Sequence, residues 1–323
     1  MANRTLLVAD IGGTNARFAL ADPTGPGFSE EVTLRCADFA TADDAIQQYL
    51  SQVGATAPDV ICLAVAGPVI DQVVQFTNNP WRIAAADLSE KFPRASVRLL
   101  NDFEAIAYSV PFLETGADLR EKSEFTVAIV GPGTGLGTAG LIKTHGMLIP
   151  IKSEASHKGF APETDLQRKV LESLLRRFER VSVERMVSGA GLENIYRALR
   201  QTMDPDGLPL SAADIFGEAE SGDNDQATLA VALFFEILGQ FAGDIALAFG
   251  AQDGVFIAGG IVRRYPEMFA ASSFRSGFEN KGRYRDHMQT IPTTLIKHPQ
   301  PGLLGASYAA LELLRGTEVM PTS

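Results

Sequence analysis

Three glycine-rich turns, each directly after a short apolar segment, are the feature that most limits how this chain can fold. They lie at residues 10–14, 131–137 and 259–260. A buried strand that ends in glycines presents backbone N–H groups at its carboxyl end, where they can hold an anion. One such turn is often only a chain reversal. Three at strand ends indicate an α/β fold that binds a phosphate-rich ligand.

The arrangement around the first two turns occurs twice. Strand, glycine turn, strand, turn, strand is expected near residues 5–36 and again near 125–151. The copies share a plan more than a sequence, which favours two related domains that each bring a backbone loop to a shared cleft. We predict a small α/β domain from residues 1–108 plus 299–323. A large α/β domain with helical insertions is predicted from residues 109–298.

Helical patterns dominate the second half of the chain. Predicted helices cover about 163–180, 183–188, 190–202, 211–220 and 225–249. The last of these is the most apolar part of the chain, but it carries Glu236, Gln240 and Asp244, which favours a buried helix over a membrane span. Residues 103–113 are predicted to form another helix, and Thr41 with Asp44 has capping-box spacing at the start of a helix over 40–52.

Charge and cysteine content exclude several classes of partner. The 323 residues have a net charge of −11, with 28 Lys and Arg against 39 Asp and Glu. Nucleic acids and anionic membranes select basic surfaces, so neither is expected as a partner. The only cysteines, Cys36 and Cys62, are far apart, which argues against a disulfide framework or a cysteine-based zinc site. The first apolar run is too short for a signal peptide, so a cytoplasmic enzyme is expected.

Two familiar phosphate-binding motifs do not fit. A P-loop requires Gly-Lys-Ser/Thr, which the sequence lacks. Residues 135–140 match Gly-x-Gly-x-x-Gly and Glu154 follows at a dinucleotide-like distance. That motif must open a helix, however, and residues 138–143 alternate as a strand does. We therefore reject the dinucleotide interpretation.

Two carboxylates stand at predicted strand ends. Asp10 could simply form the turn, or it could lie beside bound phosphates, an arrangement that requires Mg²⁺ between the charges, through water. Asp102 could cap the helix that follows it, an interaction worth about 1 kcal/mol. It could equally be a general base for phosphoryl transfer to a hydroxyl. The residues alone leave both alternatives open.

Eight segments, in order along the chain, resemble the bacterial ATP-dependent glucokinases. They are residues 10–17 (DIGGTNAR), 77–81 (TNNPW), 100–103 (LNDF), 131–137 (GPGTGLG), 183–189 (VERMVSG), 256–261 (FIAGGI), 277–283 (GFENKGR) and 301–305 (PGLLG). The resemblance runs from about residue 5 to 312. It implies the actin-like ATPase fold, with two RNase-H-like α/β domains around an interdomain cleft, often as a homodimer. It also implies transfer of the γ-phosphate of Mg-ATP to the 6-hydroxyl of glucose at the entry to glycolysis.

The resemblance also assigns roles to individual residues. Asp102 would be the base that takes the proton from the sugar hydroxyl, and Asn101 would hydrogen-bond a neighbouring hydroxyl. Three further residues match the family's sugar-binding positions: Glu154, His157 and Glu184. The nucleotide would lie against Ala9, Asp10, Ile11, Gly12, Gly13, Thr14, Gly133, Thr134, Gly259 and Gly260. Asp10 would hold Mg²⁺ through water.

One segment departs from the family pattern. Where the family usually has Glu-Gly-Gly-His, an apolar residue and Asp, this chain has Glu154-Ala-Ser-His-Lys-Gly159. Ala155 and Ser156 resist the positive φ that glycine allows, and Lys158 adds a cation. This leaves two alternatives open: a kinase for another hexose such as mannose, fructose or an amino sugar, and a sugar or nucleotide sensor without turnover. A sensor has no need of a base at Asp102, and an actin-like filament protein would not explain the sugar-binding set.

Overall fold

The computed structural model describes residues 4–76, 79–203 and 209–319. Thr77 and Asn78 of the second family segment lie outside these ranges. The chain divides into two compact units, of which unit 1 is Met1–Lys122, Pro150–Lys152 and His298–Ser323. Unit 2 is Ser123–Ile149 and Ser153–Lys297. Each has its own hydrophobic core.

The strands are β1 (Leu6–Ile11), β2 (Asn15–Ala21), β3 (Phe28–Arg35), β4 (Val60–Val65), β5 (Val73–Gln75), β6 (Arg82–Ala84), β7 (Ser96–Asn101), β8 (Phe125–Pro132), β9 (Leu136–Thr144), β10 (Met147–Ser153), β11 (Val255–Ile257) and β12 (Thr293–Leu295). The helices are α1 (Ala42–Gln52), α2 (Ala85–Lys91), α3 (Asp102–Ser109), α4 (Ala117–Glu121), α5 (Asp165–Leu175), α6 (Gly189–Met203), α7 (Ala212–Ser221), α8 (Asp225–Phe249), α9 (Gly260–Arg264), α10 (Pro266–Ala270), α11 (Phe274–Glu279), α12 (Arg285–Thr290) and α13 (Pro301–Val319).

The two five-stranded sheets have the same plan. Their strand orders are β3-β2-β1-β4-β7 and β10-β9-β8-β11-β12. In each, the first long strand pairs with the next strand antiparallel and with a later strand parallel. The repeat predicted from the glycine turns is therefore present. Strand β9 begins at Leu136 where a dinucleotide motif would begin a helix, which confirms the rejection of that interpretation.

Unit 1 is held together by strands that are buried along their whole length. Every residue of β4 is buried, as are five of the six residues of β1. The C-terminal helix α13 packs against β1, β4 and α3. Helix α1 begins at the predicted capping box, in which Thr41 and Asp44 each accept a hydrogen bond from the backbone N–H of the other.

Unit 2 is built around α8, which is almost wholly apolar on its inner faces. This helix is long and apolar enough to cross a membrane, but 78% of its most apolar stretch is buried in the protein, as in a core helix. Three predicted helices match α6, α7 and α8 closely, and α5 is shorter than predicted. The helix predicted over 183–188 is wrong: this segment forms a turn, and the N–H groups of Val183 and Glu184 donate to the carbonyl oxygens of Lys158 and Ser156.

Candidate active site

The turn after β1 holds the first predicted phosphate-binding residues. Asp10 is the penultimate residue of β1, and the backbone N–H of Gly12 donates to the Asn15 carbonyl oxygen at 2.9 Å to close the turn. Burial raises the pKa of the Asp10 carboxyl, and the guanidinium of Arg17, 4.0 Å away, lowers it by less. The first turn of α13 abuts this side chain, since a Cβ at Gly302 would lie 3.3 Å from the carboxyl group.

Asn101 and Asp102 stand where β7 passes into α3. The cap of this helix is Asn101, whose side-chain oxygen accepts from the Phe103 N–H at 2.9 Å and whose amide donates to the Gly67 carbonyl oxygen at 3.0 Å. The alternative in which Asp102 is the N-cap is therefore wrong. Asp102 is the first residue of α3, directly after this cap.

A buried carboxylate with two basic partners, close in sequence to Asp102, was not anticipated from the sequence. Glu104 is 2% exposed and lies 3.3 Å from both the Arg98 guanidinium and the Lys152 ammonium. Its carboxylate also accepts from the Asn101 N–H at 3.4 Å, completing a capping box. The three-residue spacing between Asn101 and Glu104 is the signal that could have found it.

The register of the unit 1 sheet places the Asp10 turn and the Asn101–Asp102 pair at the same edge of that sheet. Ile11 pairs with Val65 and Val65 pairs with Asn101, all in parallel strands. The spacing between neighbouring strands is about 4.8 Å, so the Asp10 turn and the start of α3 are about 10 Å apart. Ligands of open α/β sheets bind at this carboxyl edge.

Unit 2 carries the other two glycine turns, again at one edge of its sheet. Gly133 is in the turn between β8 and β9, and its carbonyl oxygen accepts from the Gly189 N–H at 3.0 Å. Gly259 follows β11, whose Ile257 pairs with Val130 of β8. Gly259 has φ +95°, and a Cβ there would lie 2.2 Å from the Pro132 carbonyl oxygen, so this position requires glycine.

The three predicted sugar-binding side chains come together in unit 2. The imidazole of His157 lies 3.8 Å from the Glu154 carboxylate through Nε2 and 3.9 Å from the Glu184 carboxylate through Nδ1. Glu184 is fixed from behind, since its Oε2 accepts from the Leu136 N–H at 3.0 Å. His157 and Glu154 are 57% and 64% exposed, so polar groups of a ligand can reach them.

The segment that departs from the family pattern adopts an ordinary backbone. Residues 155–157 form a single 3₁₀ turn, and none of residues 154–159 is among the positive-φ positions of the described chain. Ala155 and Ser156 therefore meet no conformational penalty from their Cβ atoms. The ammonium of Lys158 lies 2.9 Å from a carboxylate oxygen of Asp244.

Comparison with known proteins agrees with these features. The family model described as Glucokinase matches residues 7–313. A glucokinase of Caulobacter sp. (strain K31) is 41% identical over 311 residues, which is 94% of each chain. The crystal structure of a glucokinase from an Antarctic psychrotroph superposes with a TM-score of 0.84 at 33% identity, covering 95% of this chain and 99% of that one. A ROK family glucokinase from Streptomyces griseus shares the fold, with a TM-score of 0.65 at 20% identity, over 95% of this chain and 99% of that one.

The paired sheets, their glycine turns and these neighbours define an ATP-dependent hexose kinase with the actin-like ATPase fold. The chain belongs to the glucokinase family. The predictions of family, fold class and a hexose kinase activity made from the ordered segments are thereby confirmed.

Proposed function

We propose that this protein transfers the γ-phosphate of Mg-ATP to the 6-hydroxyl of glucose, giving glucose 6-phosphate and ADP. The observation that carries the proposal is the register of unit 1, which sets Asp102 at the same sheet edge as the Asp10 turn. The Streptomyces griseus neighbour is described in complex with glucose and AMPPNP, an ATP analogue, which supports the same pair of ligands here.

Asp102 is the proposed general base. Its carboxylate takes the proton of the 6-hydroxyl as that oxygen attacks the γ-phosphorus and the bond from phosphorus to the ADP oxygen breaks. Asn101 orients a neighbouring hydroxyl. Glu154, His157 and Glu184 accept hydrogen bonds from the remaining hydroxyls, which is the chemistry that a ring of donor groups requires.

The glycine turns are the proposed nucleotide site. The turn at residues 9–14 and the turn at Gly133 and Thr134 would hold the phosphates through backbone N–H groups. Gly259 and Gly260 would lie against the adenosine, where the absence of side chains allows close approach.

Asp10 is the residue proposed to hold Mg²⁺. Over the described residues no group of three or more His, Cys, Asp or Glu side chains could form a protein cage for a metal ion. A single carboxylate beside a phosphate turn fits Mg²⁺, which keeps several waters and takes most other ligands from substrate phosphates. When bound, the ion would neutralise charge that develops on the phosphate oxygens.

The cellular setting is proposed with the activity. We propose a cytoplasmic enzyme of glycolysis that assembles as a homodimer, with the two units as its two domains. The core position of α8 supports a protein that is not inserted in a membrane. The net charge of −11 supports the absence of nucleic-acid partners.

The test of the activity is ADP release from Mg-ATP with glucose, mannose, fructose, N-acetylglucosamine or no sugar. Glucose is expected to give the highest kcat/KM, and release without sugar is expected to be small. A higher kcat/KM with another hexose would show that the protein is a hexose kinase whose preferred substrate is not glucose. ATP binding without sugar-dependent release would favour the sensor alternative.

Substitutions of Gly135 and Gly133 are expected to affect different substrates, the first glucose and the second ATP. A Cβ at Gly135 would lie 2.6 Å from Oε2 of Glu184, so Gly135→Ala must displace that carboxylate. We expect its KM for glucose to rise by about 10-fold or more, with little change for ATP. A Cβ at Gly133 meets no protein atom within 4 Å, but it would face the phosphates, so Gly133→Ala should raise the KM for ATP. Steady-state kinetics that show the same substrate affected in both variants would contradict the two assignments.

A further inference from the structure

We propose that Lys158, Asp244 and Lys281, here called the lysine–aspartate cluster, position the sugar-binding side chains of unit 2. The inference rests on the proposed function and adds to it a residue, Lys158, that belongs to the segment departing from the family pattern. None of the three contacts the sugar in this proposal. They act by holding the backbone that carries Glu154 and His157.

The cluster joins this segment to the core helix. The Lys158 ammonium is 2.9 Å from Oδ2 of Asp244, and the Lys281 ammonium is 2.8 Å from Oδ1 of the same carboxylate. Asp244 is on α8, most of whose inner residues are buried. The ammonium of Lys158 also lies over the ring of Phe241, 5.2 Å from the ring centre. The residue after His157 is thus tied to the buried core helix of the unit.

Backbone hydrogen bonds connect the segment that Lys158 holds to the segment that carries Glu184. The carbonyl oxygen of Lys158 accepts from the Val183 N–H, and that of Ser156 accepts from the Glu184 N–H, both at 3.0 Å. A shift of residues 156–158 would therefore move Glu184 as well as His157. A displacement of about 1 Å in such a set can lower an enzyme's rate by about 100-fold.

Charge balance explains why the lysines stay in place. Burial raises the pKa of Asp244, but the two ammonium groups lower it by more, so its pKa lies below the ordinary value. Lys281 is only 7% exposed and has a second partner in Glu163, whose carboxylate is 3.5 Å away. Two cations thus face two carboxylates. Because Asp244 already neutralises the Lys158 ammonium, Lys158 does not give the neighbouring site a preference for an anionic sugar.

The test is Lys158→Met, which keeps an unbranched apolar side chain but removes the charge that faces Asp244 and Phe241. We expect kcat/KM for glucose to fall by about 10-fold or more through a higher KM, while the KM for ATP stays within about 2-fold. Asp244→Asn should have at least the same effect, since it also removes a partner of Lys281. The double variant should be little worse than Asp244→Asn alone, because the interaction between Lys158 and Asp244 is already lost there. Lys158→Arg should retain most of the activity. The control is Lys169→Met, an exposed lysine of α5 in the same unit.

Different results overturn different parts. If the wild type is active and Lys158→Met leaves the glucose KM within about 2-fold, the positioning role is wrong and the proposed function stands. If the glucose KM, the ATP KM and the melting temperature all change together, the cluster only stabilises the fold, and the positioning role is again wrong. If the wild type gives no sugar-dependent ADP release at all, the proposed function fails and this inference fails with it.

Discussion

Replacing Asp102 by Asn is expected to lower kcat by about 100-fold or more while leaving ATP binding intact. An amide has nearly the shape of a carboxylate and keeps its place at the start of α3, but it cannot take the proton from the sugar hydroxyl. The substitution also keeps a side-chain oxygen at the position of Oδ1 of Asp102, which accepts from the Phe103 N–H at 2.9 Å. The measurement is kcat for ADP release at saturating glucose, together with the Kd for ATP by calorimetry.

Asp87→Asn is the matched control for this substitution. Asp87 is also a first-turn carboxylate of a helix in unit 1, but it is 60% exposed and pairs with Arg82 at the surface of α2. Its removal should leave kcat within about 2-fold, because exposed ion pairs contribute little. If Asp102→Asn keeps activity within a few-fold of the wild type, Asp102 is not the base.

Gly305→Ala is expected to destabilise the protein more than any other substitution considered. A Cβ at this position of α13 would lie 1.7 Å from the carbonyl oxygen of Ala105 in α3. Backbone cannot move aside as a side chain can, so the two helices must separate. Overpacking of this kind costs about 1–3 kcal/mol or more, which corresponds to a fall in Tm of about 5 °C or more. Differential scanning calorimetry would measure it.

The same helix provides the control. Gly316 of α13 meets no atom within 4 Å of an added Cβ, and it is exposed. Gly316→Ala should leave the Tm unchanged or raise it slightly, since alanine favours a helix over glycine by up to about 1 kcal/mol. Equal melting temperatures for the two variants would show that α13 and α3 are not packed as closely as described.

Much of the fold follows from local patterns in the sequence. The buried strands, the glycine turns and the long helices were predictable because burial periodicity and turn chemistry act over a few residues. The four short helices between β11 and β12 were not predicted. Each has only five or six residues, and helices of that length form through packing rather than their own propensity.

The candidate site was predictable to a different extent. Glu154, His157 and Glu184 were found through family resemblance, and the structure places the His157 imidazole within 4 Å of both carboxylates. The sequence left open whether Asp102 caps α3, and the structure gives the cap to Asn101, because either side chain can cap and only the geometry decides. The pairing of Lys158 with Asp244 joins residues 86 positions apart, so no local pattern could reveal it.

The place of α13 has a consequence for how the chain is made on the ribosome. The N-terminal 122 residues of unit 1 emerge first, yet the helix that covers β1 and β4 begins only at Pro301. Synthesis proceeds at about 5–20 residues per second, so these apolar strands wait on the order of 10 s or longer for their cover. Unit 2 is complete before then. During that time the apolar faces that α13 covers in the finished protein lack this partner, so the order of the chain exposes them for most of synthesis.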